Sequence, residues 1–366
     1  LEQPLYDIAI IGLGPAGSTL ARLLPDNLKI IAFDKKNDGE ASFKKPCAGM
    51  LSHYGQECFA KYGLTLPDDV LVTQLFSAKV IDLKHDSVRN YRRLYINMDR
   101  HRFDLWLKSM IPEYVDIHDS VLCRSLVKTD DCYEITVLEN HQEIKYRAKY
   151  VIGADGAGSM VRKFLFPEHR IKTYMSIQQW FPARAGDPSY SLIFDGDLTD
   201  SYAWGLNKNE YYVFGGAYPM KHAREKFEEM KRRLKAYGYE FDNPVKTEAC
   251  LVLSPSSLKQ LCYGRDNCFL IGEAAGFISP SSLEGISYAI ESAYKLGELF
   301  NHQKQVSVKD YRKAVFSLRL KLAVKMIKRH FIMGAFLRRV IMLSGLGAIS
   351  MITAKPGKTG KNGKAE

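Results

Sequence analysis

The chain has 366 residues, 46% hydrophobic, 25% charged and 11% aromatic, enough for a sizeable core in one large or two interleaved domains. Its seven cysteines, at 47, 58, 123, 132, 250, 262 and 268, are odd in number and form no CxxC pair. That argues against a zinc site or a disulfide framework and for a reduced, cytoplasmic thiol set. The net charge of +11 sits at one end: from Arg312 onward there are thirteen Lys or Arg and a single acid, Glu366, so the preceding residues sum to −1.

The opening LEQPLYDIAIIGLG has no basic flank and a short apolar run, so export is not expected. Instead YDIAII predicts a buried strand, followed by a glycine turn and a helix over PAGSTLARLL. NLKIIAFDKK predicts a second strand ending at Asp34, and the loop KKPCAGML follows. DRHRFDLWLKSMI predicts a helix with Phe103, Trp106, Leu107 and Met110 on one side; YEITVLEN and EIKYRAKYVIGADG predict strands. Between about Ile171 and Leu253, alternating aromatic segments (YMSIQQWF, YSLIFD, SYAWGL, YYVFGGAY) surround one charged helix, HAREKFEEMKRRLKAYG. This predicts an antiparallel sheet inserted into an α/β framework. CFLIGEAAGFISPSSLEGISYAIESAYKLGELF returns to strand, loop and helix; basic helices follow, and KPGKTGKNGKAE has the composition of a disordered tail.

Gly12, Gly14 and Gly17 form GxGxxG directly after a strand and before a helix, with Asp34 seventeen residues further on. A tight turn, a close approach of backbone to pyrophosphate and a helix N-terminus facing negative charge require that arrangement, while Asp34 suits a ribose hydroxyl. The pattern leaves FAD and NAD both open.

Two later motifs, VIGADGAGSMVRK with Asp155 and Gly156 and FLIGEAAGFISPSSLEGISYA with Gly272 and Glu273, combine with the first. Together they resemble the flavoprotein hydroxylase superfamily, in which three separated elements hold one FAD. The resemblance implies a discontinuous Rossmann-like FAD-binding domain (1–75, 99–165 and 260–305) and a substrate domain built on the antiparallel sheet (76–98 and 166–259). A basic helical region (306–354) and a tail (355–366) complete the chain. It also implies cofactor contacts from Gly12, Gly14, Pro15, Ala16, Gly17, Asp34 and Lys35, from Ala48 and Gly49, and from Arg100, whose guanidinium can pair with phosphate. Asp155 and Gly156 fall near the pyrophosphate, and Gly272, Glu273, Gly285 and Ile286 near the flavin side. Glu273 replaces the family's usual Asp.

Within that superfamily the chain is similar to geranylgeranyl reductases: Lys45, Pro46, Cys47 and Gly49 match their KPCGGG loop, although Ala48 and Met50 depart from it. Tyr202 and Trp204 match part of their YxWxFP motif, with Leu206 and Asn207 in place of FP. Over most of its length, through IGLGPAGS, RHRFDLW, IQQWF and FGGAYPMK, it resembles the CbrA-type oxidoreductases of bacteria. The resemblance implies an FAD-dependent reductase of carbon–carbon double bonds in an isoprenoid or related lipid, with Cys47, Tyr202 and Trp204 as catalytic candidates. An aromatic monooxygenase and a membrane-associated flavin-binding regulatory protein stand as alternatives. No second GxGxxG is present, so the sequence leaves the external electron donor unspecified between NAD(P)H and a reduced protein carrier.

On a strand Tyr202 and Trp204 share a face, and they belong either to a cavity wall or to ordinary sheet packing. Gln178, Gln179 and Trp180 pose the same question. In VFSLRLKLAVKMIKRHF, Val315, Leu318, Leu322 and Met326 recur at helical spacing beside a stripe of Lys321, Lys325 and Lys328. That pattern predicts a helix laying its apolar side on an anionic membrane, on the inner face of the cell membrane, or else packed on the protein body. The next segment, FIMGAFLRRVIMLSGLGAISMITA, carries Arg338 and Arg339 centrally, which fits an interfacial or protein-packed segment better than a span. No nucleic-acid motif accompanies the charge.

Overall fold

The computed structural model describes residues 4–37, 39, 45–182, 189–345, 348 and 349; the tail 355–366 lies outside them. The run Leu5–Ile11 forms a strand between Ile30–Asp34 and Gln142–Gly153, parallel to both. Val115–Asp119 and Cys268–Leu270 extend this sheet on either side, again in parallel. A strand with parallel neighbours on both sides and helices over its faces has no wet side, which is why YDIAII and IIAF are continuous apolar runs. Helices Pro15–Leu23 and Ile286–His302 pack on it, with Leu20, Ala21, Ala293 and Leu296 fully buried.

The second sheet runs in the order Lys246–Leu253, Thr173–Pro182, Tyr211–Pro219, Ala203–Lys208, Tyr190–Phe194, Leu75–Asp82, Ser87–Asn97. Its pairings are antiparallel except one: Tyr190–Phe194 lies parallel to Leu75–Asp82. No hairpin joins those two strands, so turn geometry does not dictate their direction. Side chains alternate cleanly. On one face Phe214 and Tyr218 pack against Phe227, Met230 and Leu234 of the charged helix Ala223–Leu234. On the other, Tyr190, Tyr202, Trp204 and Leu206 meet Ala157, Ile278, Ala48 and Met50 of the first domain.

The C-terminal region forms the helices Val308–Ala314, Phe316–Met333 and Ala335–Ser344, of which the last two strap both domains. Val315, Leu318, Leu322 and Met326 are buried in the core of the dinucleotide domain. The side expected to meet a membrane is therefore the side that packs on the protein. Three ion pairs hold the strap. Lys321 Nζ reaches the buried Glu291 at 3.2 Å, and Glu291 also accepts from Tyr54. Arg329 donates to Asp200 at 3.0 Å and to the Tyr174 hydroxyl at 2.8 Å. Arg338 Nε donates to Asp82 Oδ2 at 2.8 Å, with both groups buried and the guanidinium over the Phe194 ring. Arg338 thus sits in an apolar segment because it neutralises a buried carboxylate, and no described helix is long and apolar enough to cross a membrane.

Removing one member of a buried pair costs about 3–5 kcal/mol when the other's charge is left alone; Asp82 keeps His85 Nδ1 at 2.9 Å, so the lower end, about 3 kcal/mol, applies here. Arg338→Leu should lower unfolding free energy by about that much in chemical denaturation, and adding Asp82→Leu should recover most of it. A loss below about 1 kcal/mol for the single variant would show that the pair does not hold the strap.

Candidate active site

The turn after Leu5–Ile11 is built by two glycines for packing and one for access. Gly12 has φ +97°, and a β-carbon there would stand 2.8 Å from the Ala154 carbonyl oxygen. A β-carbon on Gly17 would lie 1.8 Å from the Gly12 oxygen. Gly14 instead faces open space, as does Gly156. Gly14 is the N-cap of Pro15–Leu23 and supplies no side-chain cap, so the first-turn N–H groups point at that space. Pro15 opens the helix, and Ala16 is buried behind it.

Two carboxylates border the same region with an oxygen each left over. Asp34 ends its strand fully buried; its Oδ2 has no hydrogen-bond partner among the described residues, and burial pushes its carboxyl up from the ordinary value. Asp155 Oδ2 accepts from the Met160 and Val161 amides at 2.7 and 3.3 Å, while its buried Oδ1 has no hydrogen-bond partner among the described residues. Burial raises its pKa too, against those hydrogen bonds. A buried orphan acceptor is costly unless a donor arrives. Ribose hydroxyls are such donors, and the open glycine turn is where a pyrophosphate would lie, so the residues fit a dinucleotide. Lys35 follows Asp34 on the exposed side.

The remaining expected cofactor residues are engaged with one another. Glu273 Oε2 pairs with Lys45 Nζ at 2.5 Å, and its Oε1 accepts from the Leu253 amide at 3.0 Å. This carboxylate bridges the KPCAGML loop, the second sheet and its own turn. Gly272 has φ +57° and packs on Ala16; Gly285 is the uncapped N-cap of the helix that starts at Ile286. Arg100 Nε donates to Asp104 Oδ1 at 2.9 Å, and Lys36 holds the other Asp104 oxygen at 3.1 Å. Burial works against the charge on Arg100, but Asp104 and the Cys47 side chain outweigh it and keep the guanidinium protonated.

Cys47 is half-buried, beside Arg100, with its sulfur 3.4 Å from the Gly49 amide. Gly49 is required by its own protein surroundings. Its φ is +65°, and a β-carbon would stand 2.3 Å from the Met98 oxygen and 2.9 Å from Lys208 Nζ. Its missing side chain makes room for protein atoms, so Ala48, packed in the apolar cluster between the domains, is the small residue left to face a ring.

Lys208 is a residue the sequence reading passed over. It is buried, donating to Asn97 Oδ1 and the Met98 oxygen at 2.8 Å each, and burial brings its pKa down to about 8. Strand alternation marks it, because 202, 204, 206 and 208 share parity and the first three are apolar and buried.

Tyr202 and Trp204 do share a face, the one turned to Ala48 and Met50. The Tyr202 hydroxyl bonds to the Tyr190 hydroxyl and donates to the Ser282 oxygen at 2.5 Å. Trp204, Gly215, Gln178 and Glu248 stand in register across four strands, and the indole lies over Gly215, where a β-carbon would be 2.7 Å from Nε1. Gln178 Nε2 and Trp180 Nε1 both donate to Glu248 Oε2, at 2.9 and 2.8 Å. Gln179 points the opposite way, between Thr247 and Lys231. Trp204 Nε1 and Gln178 Oε1 are buried without partners among the described residues, one donor and one acceptor on the wall between the domains.

Two measurements test this geometry. Gly14 has φ −75°, open to any residue, and free space at its β-position, so Gly14→Val should fold normally yet purify without flavin absorbance. Full flavin occupancy in that variant would contradict the turn's role. In the unfolded chain Lys208 keeps its proton to about pH 10.4; folded, it loses it near 8. Between those values the unfolded state binds more protons, so stability rises with pH. Lys208→Met should lack that rise, on the order of 3 kcal/mol, in unfolding titrations. Identical pH profiles for the two proteins would remove the buried ammonium.

Comparison with known proteins points to FAD as the cofactor. The family described as FAD binding domain matches residues 110–305. Protein CbrA of Escherichia coli K12 is 46% identical over 349 residues, covering 95% of this chain and 99% of that one. Among solved structures, a geranylgeranyl bacteriochlorophyll reductase-like protein from Thermoplasma acidophilum superposes with TM-score 0.77 at 15% identity, over 91% of this chain and 89% of that one. PqsL from Pseudomonas aeruginosa, in complex with 2-aminobenzoylacetate, superposes with TM-score 0.69 at 16% identity, over 94% and 100%. The chain belongs to the FAD-binding flavoprotein hydroxylase family, among the relatives of CbrA, and is an FAD-dependent oxidoreductase.

Proposed function

We propose that this oxidoreductase reduces carbon–carbon double bonds in an isoprenoid or related lipid. The observation that carries the reading is the apolar wall between the domains. Tyr190, Phe194, Tyr202, Trp204 and Leu206 face Ala48 and Met50, beside the loop that bears Cys47. These side chains are closed against each other, so a hydrocarbon chain enters by taking the place of the contacts with Ala48 and Met50, and there the wall keeps water from the reacting carbons. The overall likeness to a geranylgeranyl reductase-like structure supports the same reading.

Bound FAD would supply a hydride equivalent to one alkene carbon, with electrons from NAD(P)H or a reduced protein carrier. The protein's share is orientation and the proton for the second carbon. Cys47 is the proposed proton holder: its thiol stands beside Arg100 and Lys208 and near Tyr190 and Tyr202, on the loop that meets the apolar wall. Trp204 Nε1 and Gln178 Oε1 are free to orient a polar end of the substrate. Asp34, Asp155, Gly14 and Gly156 would hold the cofactor from the nucleotide side, and Arg100 and Lys45 would add positive charge near the loop.

A second reading, oxygen-dependent hydroxylation of an aromatic compound, has one observation in its favour: PqsL presents the same fold with an aromatic ligand. Mass analysis separates the two. Anaerobic incubation of the reduced protein with a bacterial lipid extract should yield products heavier by two hydrogens per double bond. Products that form only with oxygen, and contain it, would overturn the reductase. Cys47→Ala should keep its flavin and lose turnover by about a hundredfold, the usual worth of a positioned acid; unchanged turnover would remove Cys47 from the proton path.

A further inference from the structure

The strap helices have an outer side that the protein does not cover. Along Phe316–Met333 the residues Phe316, Leu320, Val324, Ile327 and Phe331 are exposed, 48% to 63% each, at spacings of three and four that put them in one line. Along Ala335–Ser344, Phe336, Val340 and Leu343 make a second exposed row, with Phe336 74% exposed. Scattered exposed apolar residues are ordinary, but eight large ones in two rows over consecutive helices are not.

The charge around this line has one sign. No acid occurs between Arg312 and Ser344, against nine Lys or Arg. Lys321, Arg329 and Arg338 are spent on the ion pairs that anchor the strap. Lys313, Lys328 and Arg339 are exposed beside the apolar line. Burial, and after it the like charges of Lys325 and Arg93, lower the pKa of Lys328. Such a cluster is unfavourable until anions approach it.

We infer that this outer side is a docking surface for an anionic lipid bilayer, lying flat in the headgroup region with the apolar line inserted and the cations on phosphate. The chemistry excludes the other occupants. A second copy of the chain would bring cations against cations across a two-fold axis. A nucleic acid would meet the cations but leave the inserted Phe, Leu and Ile without purpose. A bilayer satisfies both features at once. The docking stands apart from the lipid-reductase reading. It places the strap at the headgroups, and Ile332 and Met333 of the same helix pack against the apolar wall between the domains.

Vesicle flotation of the full-length flavoprotein tests it. With vesicles of phosphatidylcholine containing about a third phosphatidylglycerol, the wild type should float; with phosphatidylcholine alone it should float far less. The triple change Leu320→Gln, Val324→Gln, Ile327→Gln should cut the bound fraction by about tenfold or more. The pair Lys328→Glu and Arg339→Glu should do the same. All three proteins should share one unfolding midpoint and one flavin content, since only exposed side chains change. Wild type that stays below the anionic vesicles would overturn the docking surface. So would a triple variant that floats as well as wild type, because the lysines after residue 354 would then be carrying the binding alone. A wild-type dimer that the triple variant turns into a monomer, without flotation, would make the line a self-interface and overturn it as well.

Discussion

The carbonyl oxygen of Gly12 lies 1.8 Å from the point where a Gly17 β-carbon would be, and the Ala154 carbonyl oxygen stands 2.8 Å from the β-position of Gly12. No side chain fits at either place. That contact draws the start of Pro15–Leu23 onto the ends of two parallel strands, which leaves its free N–H groups and the open face of Gly14 pointing at the same space as Asp34 and Asp155. The nucleotide site follows from this backbone-to-backbone contact. The orphaned carboxylate oxygens carry a desolvation cost until a ligand donates to them, so the fold holds its site in tension with its own stability.

The second dependence runs through Glu273. One carboxylate binds Lys45 of the loop and the amide of Leu253 in the other sheet, so loop, turn and second sheet share a single point. The Glu in place of the family's Asp is long enough to make both contacts. Cys47 therefore sits on a segment fixed at both ends, by Lys45 and by Gly49 wedged against Met98 and Lys208. The strap closes the arrangement from behind, anchored to the first domain by Glu291 and to the second by Asp200 and Asp82.

Much of this was legible in the sequence, for a physical reason. Strands buried on both faces must be continuously apolar, glycine turns must have glycine where backbones touch, and alternation sorts Tyr202 and Trp204 from Ala203. Alternation also marked Lys208, had its parity been followed to the strand's end. What stayed hidden is tertiary. Leu318, Leu322 and Met326 and the line of Leu320, Val324 and Ile327 are both apolar and both at helical spacing, and only the neighbouring core decides which is covered. The partner of Arg338 is Asp82, 256 residues away, and the parallel pairing of Tyr190–Phe194 joins segments no turn connects. The necessity of Gly49 comes from Met98 and Lys208 rather than from a ligand, a distinction that spacing does not carry.

The central claim is that an alkene, and not oxygen, takes the electrons at the wall formed by Tyr202 and Trp204. The direct measurement is the absorbance of the reduced flavin under strict anaerobiosis as an isoprenoid lipid is added. Reoxidation without oxygen, with one flavin turnover for each double bond saturated, is the predicted result. A flavin that stays reduced until oxygen is admitted would contradict the account.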